Sequence, residues 1–276
     1  MLIFGHLLLL QSIVELRQQN SFHNLHRSSP LQLQCGVTDM ISEATMVASF
    51  HKRPLPDRLV PFSSKAGKLI FREALDSGGM ESYFPLSEQF VTQSDPAFCS
   101  LSSLSMVLNA LNFDPKRIWK GVWRWISDET LQCEREICSF SKEKVRLQGM
   151  NFDEFESFAK CQGLQVQAFR ITSEMRGEAE ISSISRFRER LESVSSSDRS
   201  ESFMVVNFSR MPLGQTGDGH FSPIGGYHKE KDLVLIMDVA RFKYPPYWVP
   251  IDVLWESMAV DDNSTKSPRG YFIFSI

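Results

Sequence analysis

From Phe203 onward the chain carries four runs rich in β-branched and aromatic residues: FMVVNFS (203–209), GHFSPIGGY (219–227), LVLIMDVA (233–240) and GYFIFSI (270–276). Such runs favour extended backbone, and the Gly, Pro and charged residues between them mark turns. The chain before them is patterned differently. SSKAGKLIFREALDSGG predicts a helix capped by Ser63 or Ser64 and stopped by Gly78 and Gly79. NFDEFESFAKCQG pairs a candidate cap, Asn151, with Glu154 three residues on, sets Phe152, Phe155 and Phe158 in one stripe, and ends at Gly163. LQVQAFRI alternates as a strand does, and ISRFRERLESV predicts an amphipathic helix. Helices first and sheet last predict an α+β fold, with a helical part packed on an antiparallel sheet and a cleft between them.

With 276 residues, 42% of them hydrophobic, the chain can bury a sizeable core. The net charge is -3 and the basic residues are scattered, which argues against nucleic acid as a partner. The apolar start, MLIFGHLLLL, is too short to span a bilayer. Up to Asp39 the extension carries Arg17, Arg27, three histidines and, before Asp39 itself, a single acid, Glu15, a composition that reads either as a weak organelle-targeting sequence or as a disordered tail. The expected division is therefore 1–49 as an extension and 50–276 as one domain. The expected location is the cytoplasm, or mitochondria if the extension is an address. Five cysteines, Cys35, Cys99, Cys133, Cys138 and Cys161, are an odd number without small-scaffold spacing, so free thiols are expected. Cys133 and Cys138 lack a structural zinc spacing, so buried or idle thiols are expected ahead of metal binding by Cys133, Cys138 and Cys161. Trp119, Trp123 and Trp125 are expected to form aromatic core beside a loop.

One thiol is placed differently from the others. In TQSDPAFCSLSSLSMVLNALN, Leu101, Leu104, Leu108 and Leu111 recur at helical spacing, while Ser94, Asp95 and Pro96 favour a turn. Cys99 then sits at a helix N-terminus, where unpaired N–H groups and the macrodipole favour a thiolate. A thiol nucleophile needs a base, and the base needs an acceptor to orient it. In GDGHFSPIGGYHKEKDLVLIMDVARF a turn near residue 229 or 230 sets His220 opposite residue 238 or 240, on the same face as Asp238. Singly, Cys99 reads as a core thiol, Asp238 as a salt-bridged acid and His220 as structural. The closely spaced glycines bracketing His220 in TGDGHFSPIGGY favour close approach of backbone to a ligand.

The order Cys, His, acid resembles that of papain-like enzymes, in which a Gln six residues before the Cys contributes to the oxyanion hole; Gln93 has that spacing from Cys99. FSSKAGKLIFREAL, TQSDPAFCSLSSLSMVLNAL, WKGVWRW, TGDGHFSPIGGY and DVARFKYPPYWVP together resemble the catalytic domain of phytochelatin synthase, from about residue 50 to the end. The resemblance implies Cys99 as nucleophile, His220 as base, Asp238 as orienting acid and Gln93 as oxyanion donor. It puts Arg241, Phe98 and Gly219 at substrate, with Phe98 standing where a Tyr is often found. It further implies a transferase that makes phytochelatins from glutathione through a Cys acyl-enzyme with release of glycine. A heavy-metal ion (cadmium, zinc or copper) would activate it, entering as a glutathione thiolate complex. Glutathione and phytochelatin oligomers are the expected partners, with a homodimer left open. The Cys-rich region of longer members has no counterpart, so metal sensing attributed to it is not implied. Two alternatives stand beside this reading: a glutathione or peptide hydrolase with the same triad, and a non-catalytic thiol-rich metal-binding protein.

Overall fold

A computed structural model of the chain describes residues 49–133, 140–171, 178–199 and 201–276. Helix α1 (Lys65–Asp76) begins where Ser64 Oγ accepts from the Gly67 N–H at 3.0 Å, so Ser64 is the cap. Gly67, Ile70 and Ala74 form its buried face. After a short α2 (Tyr83–Glu88), α3 (Cys99–Ala110) runs through the centre of the molecule. Its apolar residues and Ser100, Ser102, Ser103 and Ser105 are all buried. Small serines on a buried face let a helix approach a sheet closely, and Ser103 Oγ donates to the Phe221 carbonyl at 3.1 Å. Helices α4 (Lys142–Gln148) and α5 (Phe152–Cys161) follow, the latter with the reciprocal capping box between Asn151 and Glu154.

Strands β1 (Val60–Pro61), β2 (Gln165–Arg170), β3 (Ser202–Ser209), β4 (Gly219–His228), β5 (Leu233–Ile236), β6 (Tyr247–Pro250) and β7 (Gly270–Ser275) form one antiparallel sheet in the order β1-β6-β5-β4-β3-β7-β2. Strand β3 is buried on both faces, and its side chains divide by parity. Phe203 and Val205 join a core with α3 and α5, whereas Met204, Val206 and Phe208 join one with α6 (Glu178–Ser195) and α7 (Ile251–Ala259). The α+β class expected from the sequence is the class observed, with helices on both faces of the sheet.

The β4–β5 hairpin departs from regular pairing. Near its turn His228 pairs with Leu233, Tyr227 with Val234 and Gly226 with Leu235; beyond a bulge, Ile224 pairs with Ile236. Each of the first three pairs sums to 461, and the last sums to 460. Continued regularly, the odd register would put His220 and Asp238 on opposite faces. The extra residue at the bulge, Gly225, restores the even register.

Two expectations are corrected. Cys133 and Cys161 are not free thiols: a disulfide joins them, with Cα atoms 6.1 Å apart. The end of α5 lies against the loop, where Gln162 Nε2 also donates to the Gln132 carbonyl at 2.8 Å. That pairing also removes both from any metal-ligating role, while Cys35 and Cys138 lie outside the described residues. The tryptophans do not form core: Trp119, Trp123 and Trp125 are exposed on a projecting turn. No helix among the described residues is long and apolar enough to cross a membrane.

Candidate functional site

The turn before α3 is held by Asp95, whose carboxylate accepts from the Ala97 N–H at 3.0 Å and whose carbonyl accepts from Phe98 N–H at 3.0 Å. Cys99 is thereby the first residue of α3 and its thiol is half-buried. Two backbone bonds fix this turn from outside. Gln93 N–H donates to the Val239 carbonyl at 3.0 Å, tying the turn to the segment that carries Asp238. Ser94 N–H donates to buried Asp128 Oδ2 at 2.8 Å, and the same oxygen accepts from Ser102 Oγ at 2.6 Å.

His220, the second residue of β4, is buried beneath this turn. Its side chain is hydrogen-bonded to the Cys99 thiol, toward which the Phe221 N–H also points. On the other side, His220 Nε2 stands 2.9 Å from Asp238 Oδ1, an ion-pair contact with the N–H lying off the line to the oxygen. The Phe208 ring meets the imidazole edge-on at 5.6 Å. Asp238 lies just past the end of β5, fully buried. It accepts from the Ala240 N–H at 2.9 Å and from both terminal nitrogens of Arg210, at 2.9 and 3.0 Å.

Arg210 carries no local signal in the sequence. It is one residue past β3, buried, and also donates to Gln215 Oε1. A buried carboxylate facing a histidine is tolerable only if its charge is met, and the planar fork of an arginine meets it twice. Burial alone would push the Asp238 carboxyl up, but Arg210 and His220 hold it well below the usual carboxylate range. Burial and Arg210 push the His220 imidazole down; Asp238 and the thiol outweigh them, so its affinity for a proton is raised. Burial pushes the Cys99 thiol up, and the hydrogen bond and charge of His220, the Phe221 N–H and Arg210 reverse that to a net lowering. Both shifts run in the direction of a thiolate–imidazolium pair, set beside the Asp238 carboxylate and the Arg210 guanidinium.

The remaining residues singled out by sequence are placed less uniformly. Gln93 is buried, and both its side-chain protons go to the carbonyls of Asp95 and Pro96, each at 2.8 Å, leaving Oε1 unpaired. The tightness of the Asp95–Ala97 turn brings those carbonyls to it, so both protons of the amide expected to serve as oxyanion donor are engaged within the turn. Phe98 is core, at 2% exposure. Arg241 is exposed, its guanidinium 4.7 Å from the centre of the Phe90 ring, and does not line the cleft at Cys99. Gly219 does line it.

That cleft, about 520 Å³, has Cys99 on its wall with Asn207, Asp218, Gly219, Asp262 and Arg269. Arg269 is 1% exposed; it donates to Asp218 Oδ1 at 3.0 Å and to the carbonyls of Val260 and Asp261, and its Nε has no partner. A Cβ on Gly219 would sit 3.2 Å from Arg269 Nη2, so the glycine leaves room for the guanidinium. Asn207 Oδ1 is likewise buried and unpaired.

A cysteine at a helix tip, set against a histidine and an aspartate from the sheet, is the arrangement of the papain-like α+β fold. Comparison with known proteins narrows this. The phytochelatin synthase family model matches residues 50–271, and the chain belongs to that family. It is 45% identical over 229 residues to glutathione gamma-glutamylcysteinyltransferase 3 of Lotus japonicus, covering 83% of this chain and 45% of that protein. It is 46% identical over 230 residues to glutathione gamma-glutamylcysteinyltransferase 1 of Arabidopsis thaliana (83% and 44%), and 43% identical over 225 residues to the Schizosaccharomyces pombe glutathione gamma-glutamylcysteinyltransferase (82% and 51%). The chain thus spans about half the length of the curated relatives it matches.

Proposed function

We propose that this chain is an acyltransferase that moves the γ-Glu-Cys unit of one glutathione to the α-amine of another. What carries the reading is a half-buried Cys99 thiol with its pKa lowered, held by His220 at the wall of a cleft whose far side presents both signs of charge. A γ-glutamyl group ends in an α-ammonium and an α-carboxylate. Arg269, with its unpaired Nε, suits the carboxylate, and Asp218 and Asp262 suit the ammonium.

Bound in that direction, glutathione presents its Cys-Gly peptide bond to Cys99. The Cys99 thiolate attacks the carbonyl carbon, and the oxyanion that forms lies by the Cys99 N–H at the helix tip, the kind of donor worth roughly 3 kcal/mol in a transition state. Protonated His220 gives its proton to the departing glycine nitrogen as the C–N bond breaks, leaving a thioester. The neutral imidazole then takes a proton from the α-amine of the second glutathione, or of a phytochelatin, as that nitrogen attacks the thioester, the C–S bond breaks and Cys99 leaves as thiolate. Asp238, anchored by Arg210, orients the ring and stabilises its charged form through both halves. Heavy-metal ions enter as substrate: soft ions prefer sulfur, and their glutathione thiolates are the proposed acceptors. Among the described residues no cluster of three metal-ligating side chains is present.

The test is mass spectrometry of the protein and of Cys99→Ala after incubation with glutathione and a cadmium salt. Oligomers of γ-Glu-Cys from the parent protein, and no glycine from the variant, are expected. Only γ-Glu-Cys and glycine would mean that water is the acceptor and the protein a hydrolase; metal uptake without glycine release would leave it a binding protein.

A further inference from the structure

Eight successive residues, 118–125, are exposed, among them Ile118 at 69%, Val122 at 82% and Trp123 at 71%, with Trp119 and Trp125 beside them. The chain doubles back here: Trp119 N–H donates to the Trp123 carbonyl at 2.7 Å and Trp123 N–H to the Lys120 carbonyl at 3.0 Å, with Gly121 at φ +58° at the bend. The result is an exposed tight turn with Gly121 and Val122 at its bend and Trp119 and Trp123 on its two arms. Contiguous apolar surface of this kind marks a site of contact.

Charge selects the kind of contact. Between Phe113 and Trp125 there are four cations, Lys116, Arg117, Lys120 and Arg124, against one acid, Asp114, a local excess of three on a chain whose net charge is -3. Asp114 is taken up by Arg124, at 2.8 and 2.9 Å, and by Lys116. The Lys120 ammonium lies 4.6 Å from the Trp119 ring centre, above the indole. We propose that this projection docks on an anionic lipid surface, with Val122 and Trp123 entering the boundary between headgroups and acyl chains and Lys116 and Lys120 facing lipid anions. Indole rings concentrate at that boundary, and each cation near an anionic leaflet adds to the attraction. A second copy of the chain is a poorer occupant: an interface on a two-fold axis through the tip would set Lys120 and Arg124 against their own counterparts. Nucleic acid is poorer also, because bases stack on rings, and the most exposed of the large hydrophobic side chains here, Val122, is aliphatic.

The full chain should sediment with vesicles of phosphatidylcholine containing about one-third phosphatidylserine, with a blue shift of indole emission, and far less with phosphatidylcholine alone. Val122→Ser with Trp123→Ser should lower the bound fraction about tenfold or more, and Lys120→Ala about fivefold, with thermal melting unchanged. Added salt should weaken binding. Sedimentation with neither vesicle overturns the proposal, as does equal binding by the doubly substituted chain. So does a dimer, seen by light scattering without lipid, that the double substitution dissociates.

Discussion

At Cys99 the opposing influences can be separated by experiment. Burial disfavours the anion, and His220 is the largest influence in the other direction. The lowered pKa means that thiolate accumulates as pH rises through a value below that of an ordinary thiol. At pH 6.5 a thiol with the usual pKa of about 8.5 is only about 1% ionised. Alkylation of Cys99 by iodoacetamide at that pH should therefore be markedly faster than that of a free thiol. In His220→Ala, where burial is left dominant, it should slow about tenfold or more; a rate unchanged by the substitution would contradict the assigned pair. Arg210 acts one step back, as a positioning residue. Arg210→Met leaves the buried Asp238 carboxylate without its fork, and urea denaturation should show a loss of about 3–5 kcal/mol. The sign with pH follows from the depressed Asp238 carboxyl: its contribution is complete above the ordinary carboxylate range and lost as pH falls through the folded-state value. In the variant the stability should depend less on pH below about 4.

Among the elements, the hairpin decides whether His220 and Asp238 can meet. A Cβ on Gly225 would lie 2.9 Å from Met237 Sδ and 3.1 Å from Leu235 Cδ2. Met237 can yield, but it is the neighbour of Asp238. Gly225→Val should thus cost about 1–3 kcal/mol by overpacking, with glycine release from glutathione falling by a larger factor than stability accounts for. The helix starts were legible because caps are local: Ser64, and Asn151 with Glu154, announce themselves within four residues. The pairing of His220 with Asp238 was legible from parity alone, although the regular turn it assumed is not the one formed. Nothing near Arg210, Asp128 or Arg269 marks them, since their partners are brought to them by strands and loops distant in sequence. The tryptophans mislead for the same reason, because a cluster of rings reads as core unless the fold sets it on a projection.

For the molecule as a whole, the disulfide between Cys133 and Cys161 ties the loop carrying Asp128 to the end of α5. Alkylation of the unfolded, unreduced protein followed by peptide mass analysis should label Cys99 and leave Cys133 and Cys161 unlabelled until reductant is added. Labelling of all three without reductant would remove the bond. The proposed nucleophile, Cys99, comes from the helical layer, and its proposed base and acid, His220 and Asp238, come from the sheet side. Bonds such as Gln93 N–H to the Val239 carbonyl and Ser103 Oγ to the Phe221 carbonyl stitch the two together close to Cys99 and His220. Neither layer is chemically armed by itself. On the proposed assignment a nascent or damaged chain carries an ordinary, sluggish sulfhydryl, and the activated sulfur exists only once the two halves have docked, so that reactivity would itself certify completed folding.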